Sequence, residues 1–281
     1  MAELSNGTTN KLSYQAHSEG NLLPQVQKAY VVIFPRGLLT AGFSAHGDLL
    51  LAHYTEHKDS LPTWILDFYE HRFIDEKLLQ QAERVISVFI AADKYMLVPD
   101  DLYDSEEANN WFRKIYFIEA NEMIESYHVR DEKCRYLYAY PSSVRNLANR
   151  YFPKASLLPL AAYQFFKPFK SDPFLQCCVT KDQVVASAYK NRSLVWHQVF
   201  AYNTTEDIAY QLQLVCSQYR INPQQLEVHA SVIHQDLNDV VHDLTQYFPN
   251  LKYGSSSESM TSSGEWAKAV ELLRQLYACA S

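Results

Sequence analysis

Glycine is the first shortage. The 281-residue chain holds seven, and none lies between Gly47 and Gly254. Soluble domains use glycine at about 7% of positions. Loops that wrap phosphate rely on it for close backbone approach, so a glycine-rich phosphate loop is excluded from that whole stretch. Long apolar runs are also missing. None reaches the roughly 18 residues that a membrane-crossing helix needs. Lys and Arg never run longer than a pair such as Arg113-Lys114, and the formal net charge is −7. A non-specific grip on nucleic acid or an anionic membrane requires clustered positive charge, so neither partner is expected. The five cysteines (Cys134, Cys177, Cys178, Cys216, Cys279) are odd in number and show no CxxC spacing. Reduced, buried thiols in a cytoplasmic protein are the expectation. Residues 1–27 are polar, lack the basic-then-apolar layout of a signal peptide, and read as a disordered tail.

What is present is β-rich and repeats. Tyr30–Phe34, Leu38–Ala45 and Leu49–Tyr54 are short apolar runs separated by Pro35-Arg36-Gly37 and His46-Gly47-Asp48. That pattern predicts a three-stranded antiparallel meander. Helical spacing follows over Leu61–Gln81, then a buried strand over Arg84–Ala91. The same order returns with Leu175–Val179, Val184–Tyr189, Leu194–Phe200, a helix capped by Thr204 or Thr205, and Leu226–Ala230. A shift of 145 positions lays one segment on the other without a gap. Two tandem β-β-β-α-β-α halves of ribonuclease H-like type are therefore predicted, an α/β arrangement of mixed sheets.

The segment Tyr95-Met96-Leu97-Val98-Pro99-Asp100-Asp101-Leu102-Tyr103-Asp104 resembles the T-L-V-P-x-x-L-[FY]-D stretch of an uncharacterised bacterial family of unknown function with an actin-like ATPase fold. The resemblance implies that fold for residues 28 to 280 and no activity. The first half is expected over 28–170, with a small inserted subdomain at about 98–170, and the second over 171–281. The insert is read as a helix over Ser105–Phe117, a strand pair (Glu122–His128, Arg135–Tyr140), a helix over Ser142–Tyr151 and a strand over Leu157–Phe166. Pro168–Pro173 is the expected hinge.

Actin-like ATPases place an Asp-x-Gly-[Ser/Thr] turn between the first two strands of each half, where the acid organises the metal and glycine admits the phosphates. Here those turns are Pro35-Arg36-Gly37-Leu38, which has no acid, and Thr180-Lys181-Asp182-Gln183, which has no glycine. Proline also removes a backbone donor. The chain reads as a disabled ATPase with no cofactor expected. ATP is the one alternative ligand, through Lys181, Asp182, Gly254 and Ser255. His53-Tyr54-Thr55-Glu56-His57 matches the H-x-x-E-H zinc-peptidase pattern. In a strand its two histidines lie about 13 Å apart, so no metal site is assigned. Aromatic clusters are read mainly as core. The adjacent rings of Trp111-Phe112 and Phe165-Phe166 must point in different directions, and Trp111 and Phe112 are the expected anchors for a protein partner.

Overall fold

The computed structural model describes residues 8–16, 21–57, 62–165, 171–233, 235–253 and 267–280. They form two compact units. One comprises Met1–Ala162 with Tyr277–Ser281, the other Tyr163–Leu276. The division thus falls between Ala162 and Tyr163 rather than at 170/171. Residues 168–170, half of the expected hinge, lie outside the described residues.

The first unit opens with β1 (Thr8–Gln15), β2 (Lys28–Phe34), β3 (Gly37–Phe43), β4 (Leu49–His57), α1 (Leu66–Asp75) and β5 (Val85–Ile90). With β9 (Ser156–Pro159) they build a six-stranded sheet in the order β1-β4-β3-β2-β5-β9. Strands β2 and β3 bury nearly every side chain, as expected of a central layer covered on both faces. Strand β1 corrects the expectation of a disordered tail. Thr8–Gln15 pairs antiparallel with β4, Leu12 opposite Tyr54 and Tyr14 opposite Ala52. An edge strand needs only backbone partners on one side, so a polar sequence can form it. Leu160–Phe165 is a 3-10 helix, which ends the expected last strand early at Pro159.

Between β5 and β9 the chain builds a separate sheet of three strands. It comprises β6 (Lys94–Pro99), α2 (Ser105–Ile115), β7 (Glu122–Val129), β8 (Cys134–Pro141) and α3 (Ser142–Tyr151), with strand order β6-β8-β7. Asp104, not Ser105, caps α2: its Oδ1 accepts from the amides of Glu106 and Glu107, both at 3.0 Å. That cap satisfies two of the amides left open at the helix start. Ala108 and Phe112, four residues apart, turn inward onto Val98, Leu137 and Ala139.

The second unit contains β10 (Phe174–Val179), β11 (Gln183–Lys190), β12 (Ser193–Ala201), α4 (Thr205–Gln218), β13 (Glu227–Val232), α5 (Asn238–Asp243), β14 (Leu251–Tyr253) and most of α6 (Ala267–Ala280). The sheet order is β12-β11-β10-β13-β14. Strand β10 pairs antiparallel with β11 and parallel with β13, as β2 pairs with β3 and β5. The same order and polarity of strands therefore occur in both units. Thr204 closes a capping box with Asp207 at the start of α4. The hairpins differ in length: Phe34 pairs with Gly37, whereas Val179 pairs with Val184.

Candidate functional site

The β2–β3 turn is locked by protein groups. Proline at position 35 leaves it one donor short. Its carbonyls are taken: the Tyr69 hydroxyl donates to Phe34 (2.6 Å) and Pro35 (3.1 Å), the Trp64 amide to Pro35 (2.7 Å), and the His57 amide to Arg36 (3.0 Å). Burial pushes the Tyr69 phenol well above its ordinary value, so it stays a donor. Gly37 has a packing role here. A Cβ there would stand 3.0 Å from the Thr55 carbonyl oxygen and 3.1 Å from the Tyr54 hydroxyl. The glycine admits β4 rather than a ligand.

The β10–β11 turn closes on itself. Thr180 N–H donates to the Gln183 carbonyl (2.9 Å), its hydroxyl donates to the same oxygen (2.7 Å), and the Gln183 amide returns to the hydroxyl (3.1 Å). The Tyr202 hydroxyl holds the Thr180 carbonyl at 2.7 Å. Burial, then the charge of Asp182, pushes that phenol up to about 12. Lys181 is half-buried at this tip and Asp182 exposed. Gly254 and Ser255 lie outside the described residues.

His53, Glu56 and His57 all sit on β4. Alternation puts Glu56 on the face opposite the two histidines. His53 pairs with Glu76 at 2.9 Å, Glu56 accepts from the Tyr54 hydroxyl at 3.1 Å, and the His57 ring meets Phe68 edge-on. Among the described residues no cluster of three His, Cys, Asp or Glu could hold a metal ion.

Within the insert the structure corrects the expected anchors. Phe112 is fully buried in the core between α2 and the small sheet, and Trp111 is half-buried against the same cluster. The exposed apolar groups lie just beyond, where the inward phase of α2 runs out. Ile115 is 62% exposed and Phe117 82%. The sheet's other face carries tyrosines: Tyr95 stacks on Tyr136, and Tyr138 on Tyr140. Sequence reasoning missed the carboxylate they surround. Glu125 accepts from the hydroxyls of Tyr138 (3.0 Å) and Tyr140 (2.8 Å), and pairs with Arg145 Nε of α3 at 3.1 Å. Burial, then the Glu125 charge, raises both phenols. Beside them Tyr127, Ser126 and Leu157 complete an open cavity of about 360 Å³. Burial, reinforced by Cys279, pushes the Tyr127 phenol up to about 12. Glu125 already serves three donors, so it fixes the wall of this cavity and is poorly placed as a proton acceptor.

The second unit holds another set that sequence order did not reveal. His197, Ser187, Gln176, His229 and Lys252 face one another in a single row across five strands. Ser187 Oγ lies 2.8 Å from His197 Nδ1 and 2.7 Å from Gln164 Oε1. The Gln164 amide nitrogen donates to Val185 and Tyr163, so Oε1 must accept the single serine proton. His197 Nδ1 then carries hydrogen toward Ser187, opposite to the arrangement that activates a serine. Burial drops the His197 pKa to about 3. The pair is a structural lock.

A family model described as "Protein of unknown function (DUF3822)" matches residues 44–251, most of the chain. The chain belongs to that family. No curated protein matches its sequence. Among solved structures it is similar to a protein from Bacteroides thetaiotaomicron VPI-5482 with an actin-like ATPase fold and unknown function. The TM-score is 0.68 at 16% identity, over 91% of this chain and 99% of that one. It is also similar to a chain of the PilM–PilN type IV pilus biogenesis complex, with a TM-score of 0.56 at 15% identity over 90% and 99%. These likenesses show the actin-like ATPase fold. No helix among the described residues is long and apolar enough to cross a membrane.

Proposed function

We propose that this chain is a non-catalytic, cytoplasmic protein-binding scaffold, built by duplication of a ribonuclease H-like unit, whose actin-like body has given up nucleotide. One observation carries the reading. The turn that would cradle phosphate in the first unit has its Phe34, Pro35 and Arg36 carbonyls committed to Tyr69, Trp64 and His57. Phosphate binding at such a turn needs backbone N–H donors; Pro35 has none to give, and the turn is held in its present shape through its carbonyls. In the second unit Lys181 and Asp182 crown a turn that Thr180 closes, which leaves the alternative, an ATP-binding switch, without a glycine to admit phosphate.

A protein partner is supported by two further facts. Ile115 and Phe117 are exposed at the end of α2, and apolar anchors of that kind carry much of the energy of protein interfaces. A fold neighbour is found in a two-protein complex. Photocrosslinking from an unnatural residue at position 117, compared with one at the exposed Lys154 position, tests the surface. A discrete adduct at 117 and none at 154 is expected, lost on Ile115→Ala with the melting temperature unchanged. Equal crosslinking at both positions counts against the surface.

A further inference from the structure

We propose that the outer edge of β12, along its regular stretch Trp196–Ala201, joins two copies of this chain, pairing antiparallel with itself about a two-fold axis. The starting point is a difference between two strands in equivalent places. In the first unit the third strand of the meander, β4, is covered by β1, and eight of its nine residues are buried. In the second unit the third strand, β12, is outermost in its sheet among the described residues. Trp196, Gln198, Val199 and Phe200 are left half-exposed. Large apolar side chains on an open strand edge are what natural proteins normally protect.

The usual protections are charge, proline and shortness, and the other open edges use them. Strand β1 carries Lys11, β6 carries Lys94 and Pro99, β7 carries Glu122 and Glu125, β9 is four residues long and ends in Pro159, and β14 is three residues long with Lys252. Strand β12 has nine residues with no Lys, Arg, Asp, Glu or Pro. Its one irregularity is the register shift opposite Ala188 and Tyr189, which leaves Trp196–Ala201 regular.

Backbone direction is fixed by the neighbouring hairpin. The Thr180 amide donates to the Gln183 carbonyl, so Val179 and Val184 face each other without bonding directly. Alternation then turns the backbone groups of Val184, Ala186 and Ala188 toward β12. Those of Phe200, Gln198 and Trp196 answer them, and those of Val199 and Ala201 point outward.

The occupant follows from self-complementarity. A two-fold axis at Gln198 sets Trp196 opposite Phe200 of the second copy, twice, on one face of the joined sheet. Cross-strand aromatic pairs are favourable, and like charges directly opposite are what forbids such pairing. Here no formal charge meets another. The contact is isologous and closes at two copies. It does not depend on the proposed scaffold role, and a nucleotide-binding chain could dimerise in the same way.

Light scattering and sedimentation of the full chain across a hundredfold concentration range test it. The wild type should show twice the monomer mass. Val199→Lys and Val199→Pro should show the monomer mass while remaining folded, because the Val199 amide makes no bond to β11. Tyr210→Lys, on exposed α4 surface, should leave the dimer intact. Should either Val199 variant unfold, hydrogen exchange of the wild type decides: the Val199 and Ala201 amides slow as concentration rises. A wild type of monomer mass throughout, a dimer that survives both Val199 variants, or concentration-independent exchange at those amides overturns the proposal.

Discussion

Mild acid should weaken the second unit through His197. Its ring is buried against Phe165, with Ser187 and Gln164 beyond, and burial lowers its pKa from 6.5 to about 3. The unfolded chain therefore binds a proton near pH 6.5 that the folded chain refuses. Stability from this group is fully present above the unfolded value and is lost as pH falls toward the folded one. Each pH unit below 6.5 removes about 1.4 kcal/mol, so a drop to about pH 4.5 costs about 2 to 3 kcal/mol. The upper part of that window, above about pH 5.5, lies clear of the range in which ordinary carboxylates protonate. His229, also lowered by burial and partly restored by Glu227, adds a loss of the same sign. The perturbation is His197→Gln, whose amide can still donate toward Ser187. It should cost about 1 to 3 kcal/mol near neutral pH from lost packing. Its stability should then fall less steeply with acid than the wild type's, by about one proton. Urea unfolding at several pH values between 7.5 and about 4.5 reads both slopes. Parallel slopes in wild type and variant would refute the buried neutral histidine.

Tyr69→Phe removes the hydroxyl that holds the Phe34 and Pro35 carbonyls, and should cost about 1 to 3 kcal/mol in urea unfolding. Hydrogen exchange at the Trp64 and His57 amides should speed up with it, and an unchanged rate would mean that the turn does not need this lock. The thiols should be silent to mild alkylation in the folded chain at neutral pH. Burial raises Cys177, Cys178 and Cys279 to about 12, and Cys134 and Cys216 to about 11. One fast-reacting cysteine would contradict that assignment.

The meanders and the helix after each were legible because period and turn chemistry are local. Pro35-Arg36 and Asn191-Arg192 mark hairpins, and the left-handed backbone of Asn191 and Arg192 makes the second one tight. The capping residue Thr204 was legible for the same reason. Strand β1 was not, since Thr8–Gln15 is held by backbone pairing that composition does not report. Trp111 and Phe112 were misjudged because which of two adjacent rings faces inward is set by how α2 packs on the small sheet, where Ala108 and Phe112 meet Val98, Leu137 and Ala139. The Glu125 cluster and the row from His197 to Lys252 depend on register between strands far apart in sequence, and register is a tertiary quantity. Nothing in the order of Ser187, Gln176 and His229 places them side by side.

The measurement that bears most directly on the loss of nucleotide is calorimetric titration of the full chain with ATP and Mg²⁺, paired with thermal unfolding. A bound nucleotide at a hundredfold over its dissociation constant would stabilise the fold by about 2.7 kcal/mol. The locked β2–β3 turn predicts no saturable heat and no shift in melting temperature. Saturable binding that is abolished by replacing Lys181 and Asp182 with alanine would contradict it.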